Sequence, residues 1–317
     1  MSSKIELSLY NAISLESEHF PQCQCNKAHS GPRCLTITPS DPESCKKAQK
    51  WIKRSKFPQD PKSTYHKLVR MALNEPNNNQ VALDASRTCS QVEYFASGSG
   101  RQAMIRLISA FCIYSPVLGY VQGMNYIVAA LLWHATEFEA FWLFVVLIED
   151  FELRDNFLPG FPGLKKHAHI VDFLINNHIP RLYTHFLNLS VSVELFATDW
   201  FLTLFCKNVP IQFSGYVLKH FFRQGWIFFY KLCLEILVRL CDKILLARTF
   251  AEILVYFKPQ DHSVKQWKVF MKNLEKGRDK GNWKKIVKSA SVQDIDENFL
   301  YYLSHNANNV LENLDEI

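Results

Sequence analysis

The sequence predicts an all-α fold, and three observations predict it. Beyond residue 100, apolar residues recur at helical spacing through most of the chain. No stretch alternates strictly between apolar and polar residues, and no hairpin dipeptide joins two β-branched runs. Only 11 glycines and 13 prolines occur in 317 residues, which leaves room for long helices. Hydrophobic residues make up 48% of the chain and Phe occurs 24 times, so a large core is expected rather than a disordered chain. At this length one large domain or two modest ones would fit.

Taken in order, residues 1–45 carry little pattern, are rich in Cys, Pro and Ser, and read as an irregular lead-in. The next stretch is polar, with loops at 58–62 and 74–79 on either side of a short helix around 65–73. Gly98 and Gly100 lead into a helix that begins near Arg101. Phe138, Phe141, Trp142, Val145 and Ile148 then keep helical spacing, with Glu137 and Glu139 near the start of their helix. Ile170, Phe173 and Leu174 repeat the pattern after the PGFPG run at 159–163. Residues 195–205 and 227–246 are apolar helices too long and continuous for strands. Val264, Trp267, Phe270, Met271 and Leu274 form a stripe facing away from Lys265, Lys268, Lys272 and Lys276, which reads first as a basic amphipathic helix packed on the domain with its lysines solvated. The main domain is expected at 46–258, and a helical extension with an acidic tail at 259–317.

Several function classes are argued against. The formal charge is +6, but it is uneven: residues 258–288 hold ten Lys or Arg against three acids, while 289–317 hold six acids and no Lys or Arg. No domain-wide basic surface points to nucleic acid. Residues 107–136 carry no charge and are long enough to span a bilayer, but Ser115, Pro116, Gly119, Gln122, Gly123 and Asn125 break the run, so two buried helices joined by a turn are expected. Gly98 to Ala103 matches a loose dinucleotide pattern without the acidic residue or the β–α alternation that binding needs. Cys23, Cys25, His29, Cys34 and Cys45 lack the paired spacing of a zinc knuckle, and His167, His169 and Asp172 lack a partner cluster, so no metal is expected. Of the nine cysteines, an odd number, Cys112, Cys206, Cys233 and Cys241 sit among Leu, Phe and Ile, and MSSKIELSLY lacks the apolar core of a signal peptide. The expected compartment is the cytosol.

Two segments stand apart: Val81-Ala82-Leu83-Asp84-Ala85-Ser86-Arg87-Thr88 and Leu118-Gly119-Tyr120-Val121-Gln122-Gly123-Met124-Asn125-Tyr126. They resemble the two motifs of TBC-domain Rab GTPase-activating proteins, an apolar residue followed by xxDxxRT, and GYxQGMN. Glu139-Ala140-Phe141-Trp142, Phe161-Pro162-Gly163-Leu164 and Trp200-Phe201-Leu202-Thr203-Leu204-Phe205 look like further landmarks of that family, in family order. The similarity covers about residues 46–258. Two departures are visible. The family's Trp-Asp pair is replaced by Val217-Leu218-Lys219-His220-Phe221-Phe222, and the opening Arg/Trp portion is not legible upstream of Trp51.

The resemblance implies a multi-helix domain of two helical subdomains that activates a Rab-type small GTPase and so controls vesicle trafficking. Arg87 matches the family's arginine finger. Gln122 matches the glutamine that takes over the water-positioning role of the GTPase's own glutamine. Asp84, three residues before Arg87, lies on its face of a helical turn and suits orientation of the guanidinium. Tyr120 is expected to brace the Gln122 loop, Gly123 to permit close backbone approach, and Asn125 to cap the following helix. The types suit the chemistry. Charge spread over phosphoryl oxygens is met best by a planar, permanently charged guanidinium, and an attacking water by an amide that both donates and accepts. GTP and Mg would belong to the partner, leaving this chain without a cofactor of its own. A TBC-like scaffold that binds a Rab without accelerating hydrolysis is the competing class. Peripheral placement on endomembranes, aided by weak contact of the basic helix with an anionic surface, is a further expectation.

Overall fold

The computed structural model describes residues 48, 50–74, 79–96, 98–257, 264–275, 282–296, 298–300 and 302–303, the side chains of 264 and 265 excepted. Among these residues every regular element is a helix. The cysteine and histidine group at 23–45 and most of the acidic tail lie outside them. The chain forms two compact units, divided between Glu152 and Leu153.

In the first unit Asp60 starts helix α1 (Pro61–Leu73), its carboxylate accepting from the Ser63 N–H at 3.2 Å, while Pro61 at the first turn has no N–H to satisfy. The cap carries the helix back to Pro61, ahead of the apolar pattern that begins at Tyr65. Helices α2 (Asn79–Arg87), α3 (Glu93–Ala96) and α4 (Ser99–Tyr114) follow. Helix α4 is the hub, packing against α1, α2 and α3 and against α5 (Met124–His134) and α6 (Glu137–Glu149). Its Met104, Leu107, Ile108 and Phe111 are spaced to form one apolar stripe, and all four are buried.

One carboxylate joins three of these helices. Arg106 of α4 donates to Glu137 at the head of α6 from Nε at 2.8 Å and from Nη2 at 2.5 Å. The Tyr65 hydroxyl of α1 donates to the same group at 2.6 Å. Burial, reinforced by the Glu137 charge, raises the Tyr65 phenol well above its ordinary range and keeps it a donor. Thr136 and Glu139 close a capping box at the start of α6. The uncharged run at 107–136 is divided between α4 and α5 by the loop at 115–123, and no described helix is long and apolar enough to cross a membrane.

The second unit opens with a short 3-10 turn (Leu153–Asn156) and helices α7 (Pro162–His178), α8 (Pro180–Asn188) and α9 (Val193–Thr203). The landmark residues Trp200, Phe201, Leu204 and Phe205 are core side chains, and the chain turns there because Leu204 and Phe205 take left-handed backbone at φ 48° and 62°. Helix α10 (Ile211–Ile244) consists of two helical halves that meet at Gly225, and its second half is the helix that the 227–246 pattern predicts. Its first half buries Val217, Leu218, Phe221 and Phe222, so apolar packing occupies the stretch where the family's Trp-Asp pair is missing. Gly225, at φ 58° and ψ −142°, kinks the helix between the halves.

Helix α11 (Phe250–Phe257) leads to α12 (Val264–Asn273) and α13 (Trp283–Ala290). Trp267, Phe270 and Leu274 of the basic helix are buried, while Lys268 and Lys272 face solvent. Polar side chains of α10 also hold this extension. Arg239 donates to the Leu274 carbonyl at 3.2 Å, and Lys243 donates to those of Lys272 and Asn273 at 3.1 and 2.6 Å. Two cations thus meet the negative end of α12. His167 of α7 stacks on Trp226, its Nδ1 2.7 Å from the Tyr230 hydroxyl oxygen, and burial lowers its pKa well below the usual range. It is a neutral packing residue. Among the described residues no group of three or more His, Cys, Asp or Glu is placed to hold a metal ion.

Candidate functional site

The two motifs meet around Asp84. Helix α2 is short and apolar on one side, and Val81, Asp84, Ala85 and Thr88 all lie buried on its inner face. A buried carboxylate is costly unless its oxygens are satisfied, and three side chains satisfy this one. Gln80 Nε2 donates to Oδ1 at 2.9 Å, Arg87 Nη2 lies 2.6 Å from the same oxygen, and the Tyr120 hydroxyl donates to Oδ2 at 2.6 Å. Two of the three come from the same helix, at spacings of four and three residues that place them on its Asp84 face. The third comes from the loop between α4 and α5, which carries the second motif.

A second set of bonds ties that loop down from its other end. Thr88 donates its hydroxyl to the Asp84 carbonyl at 2.6 Å and accepts from Asn125 Nδ2 at 2.6 Å. Asn125 Oδ1 in turn accepts from the Gly123 N–H at 2.9 Å. Asn125 is therefore not the cap of α5. Gly123 holds that position, at φ 115°, a left-handed value that a side chain would strain. Asn125 sits in the first turn and reaches back to the glycine, closing the loop from inside the helix. Its Oδ1 also lies 3.2 Å from the Tyr120 hydroxyl, a weaker second acceptor for a proton directed at Asp84.

The outcome for the candidate pair follows from these constraints. Arg87 is 57% exposed although Asp84 beneath it is 0% exposed, so the guanidinium is anchored at one nitrogen and open elsewhere. It lies in the last turn of α2, where a cation is favoured by the helix dipole. Gln122 is exposed and makes no hydrogen bond with any described residue, yet Tyr120 and Gly123 on either side of it are pinned. Arg87 and Gln122 are thus presented from one buried polar cluster. Gln80 and Thr88 are the members that sequence reading left without a role, and their spacing of four residues either side of Asp84 was the available signal.

Burial, the hydrogen bond to Asp84 and its charge push the Tyr120 phenol far above its ordinary range, against the opposing pull of Arg87. Tyr120 therefore stays protonated and donating at neutral pH. Tyr120→Phe would leave Asp84 Oδ2 without its partner. The expected result is a loss of about 1–3 kcal/mol in stability, read as a lower denaturation midpoint with unchanged slope.

Fold and site together define a class: an all-helical domain offering an exposed guanidinium and an exposed amide from one rigid cluster. The model of the Rab-GTPase-TBC domain matches residues 32–245, more than half of the chain. The chain belongs to that family. Among curated relatives it is 30% identical over 201 residues to the GTPase-activating protein GYP5 of Saccharomyces cerevisiae, covering 60% of this chain and 22% of that protein. It is 31% identical over 180 residues to the Rab GTPase-activating protein eat-17 of Caenorhabditis elegans, covering 56% of this chain and 20% of that one. The chain thus spans about a fifth of the length of these relatives. The fold is shared with the Chlamydomonas flagellar RabGAP TBC domain, at TM-score 0.58 and 23% identity over 79% of this chain and 77% of that one. It is shared too with the Ypt/Rab-GAP domain of Gyp1p, at TM-score 0.61 and 17% identity over 78% and 87%.

Proposed function

We propose that this domain activates a Rab-type small GTPase by supplying Arg87 and Gln122 to the partner's active site. The observation that carries the reading is the single buried cluster from which both exposed side chains are held. Positioning is most of what such a reaction asks of a protein, because the phosphoryl group transfers with little covalent help. Arg87 would neutralise charge on the transferring phosphoryl oxygens, and Gln122 would orient the attacking water. Nucleotide and magnesium would be held by the partner. Asp84, Tyr120, Gly123 and Asn125, with Gln80 and Thr88, are positioning residues in this scheme. They fix the two ends of the reach without touching the reacting atoms.

Any attraction to an anionic membrane would come from charge. The apolar side of α12 is turned into the fold, which leaves Lys268 and Lys272, with Lys284, Lys285 and Lys288 of α13, facing solvent. Such attraction is weak and screened by salt.

The test is a panel of purified GTP-loaded Rab proteins incubated with substoichiometric amounts of this chain. Accelerated, multiple-turnover hydrolysis by at least one of them is expected. Tight binding with no acceleration across a complete panel would replace the activator by a scaffold.

A further inference from the structure

Helix α2 exposes a leucine beside its arginine. Leu83 is 62% exposed, on a helix whose inner residues Val81, Asp84 and Ala85 are buried. Arg87 lies four residues further on and shares its side of the helix. Helical side chains lean toward the helix N-terminus, and the 2.6 Å contact of Nη2 with Asp84 shows that Arg87 does so. The arginine therefore runs back over the turn of residues 83 and 84, and Leu83 borders it on the solvent side. Ser86, also exposed, turns its hydroxyl proton inward onto the Leu83 carbonyl at 2.7 Å. Leu83 thus sets one exposed apolar side chain beside the guanidinium, among the exposed polar residues Asn79, Gln80 and Ser86.

A partner that encloses the Arg87 guanidinium has to lie over this turn and cover Leu83. We infer that Leu83 is a docking residue, seated against an apolar patch that borders the partner's nucleotide site. The inference rests on the proposed insertion of Arg87 and names a residue that governs affinity rather than chemistry. A burial that adds equally to the bound and transition states changes KM and leaves kcat alone. The exposed share of this side chain corresponds to about a 5- to 25-fold change in affinity.

Steady-state hydrolysis, measured while varying the concentration of a responding GTP-loaded Rab, tests this. Leu83→Gln, which removes the apolar surface without placing a carboxylate beside Arg87, is expected to raise KM about fivefold or more, with kcat within about twofold and the thermal midpoint unchanged, because the side chain faces water. Leu83→Met keeps apolar bulk and should hold both constants within about threefold. Arg87→Ala, run alongside, should instead lower kcat. An unchanged KM for Leu83→Gln would overturn the docking role while leaving the reading of Arg87 standing. A fall in kcat at unchanged KM would overturn it too, by moving Leu83 out of docking. If no Rab responds to the unmodified chain, the activator reading fails and this inference falls with it.

Discussion

Arg87→Ala is expected to lower the stimulated hydrolysis rate by about 10³-fold or more, toward the partner's intrinsic rate. An arginine supplied in trans to this reaction is worth about 10³ to 10⁵, or roughly 4–7 kcal/mol of barrier. Single-turnover hydrolysis at saturating activator is the measurement. Arg87→Lys should recover little. Lysine keeps the charge, but its ammonium lacks the planar fork that lets one nitrogen rest on Asp84 while the others reach out. The fold should survive both changes, because most of the side chain is in water. The substitution does leave Asp84 with two side-chain donors instead of three, so a small drop in the denaturation midpoint should accompany the loss of rate. Equal stimulation by wild type and Arg87→Ala would remove Arg87 from the mechanism while leaving the family assignment intact.

Gln122→Ala is expected to cost about 10² to 10³ in the same rate, the scale for one preorganised polar group acting on a transition state. Its stability should not change, since the side chain is exposed and makes no hydrogen bond to a described residue. Gln122→Glu is the sharper variant. It keeps the length but sets a negative charge against phosphate, and should be at least as damaging. A Rab lacking its own water-positioning glutamine should still respond to the wild-type chain, because Gln122 would stand in for it. No response from that Rab, with a full response from its parent, would leave Arg87 as the only group supplied.

The candidate site was legible through two motifs of the family that the sequence resembles, each a run of near neighbours. Asp84 and Arg87 share a helical turn, and Tyr120, Gln122, Gly123 and Asn125 fall within six positions. The role of Asn125 was misjudged for a physical reason. A polar residue near a helix start suits a cap, but the φ of 115° at Gly123 gives the cap position to glycine and frees Asn125 to bond backward. The second half of α10 was legible as a continuous apolar run, whereas the first half carries charges among its aromatics, and which of them face inward is a packing outcome.

By itself the sequence determined the helical class, through apolar periodicity and the scarcity of alternation, and it singled out Arg87 and Gln122. The class is written in short-range periodicity, and the two residues are marked by the family motifs in which they stand. Only the tertiary structure decided that the two motifs share one carboxylate. The 35 positions between Arg87 and Gln122 are closed by α4, against which α2 and α5 both pack, and that closure depends on apolar burial along three helices at once. It also decided the fate of the basic helix. The same stripe of Trp267, Phe270 and Leu274 would suit a membrane or a core, and what turned it inward is the apolar surface of its own unit, with Arg239 and Lys243 holding its negative end. Such competition between burial partners is settled by which surfaces the rest of the chain supplies, and no local pattern records it.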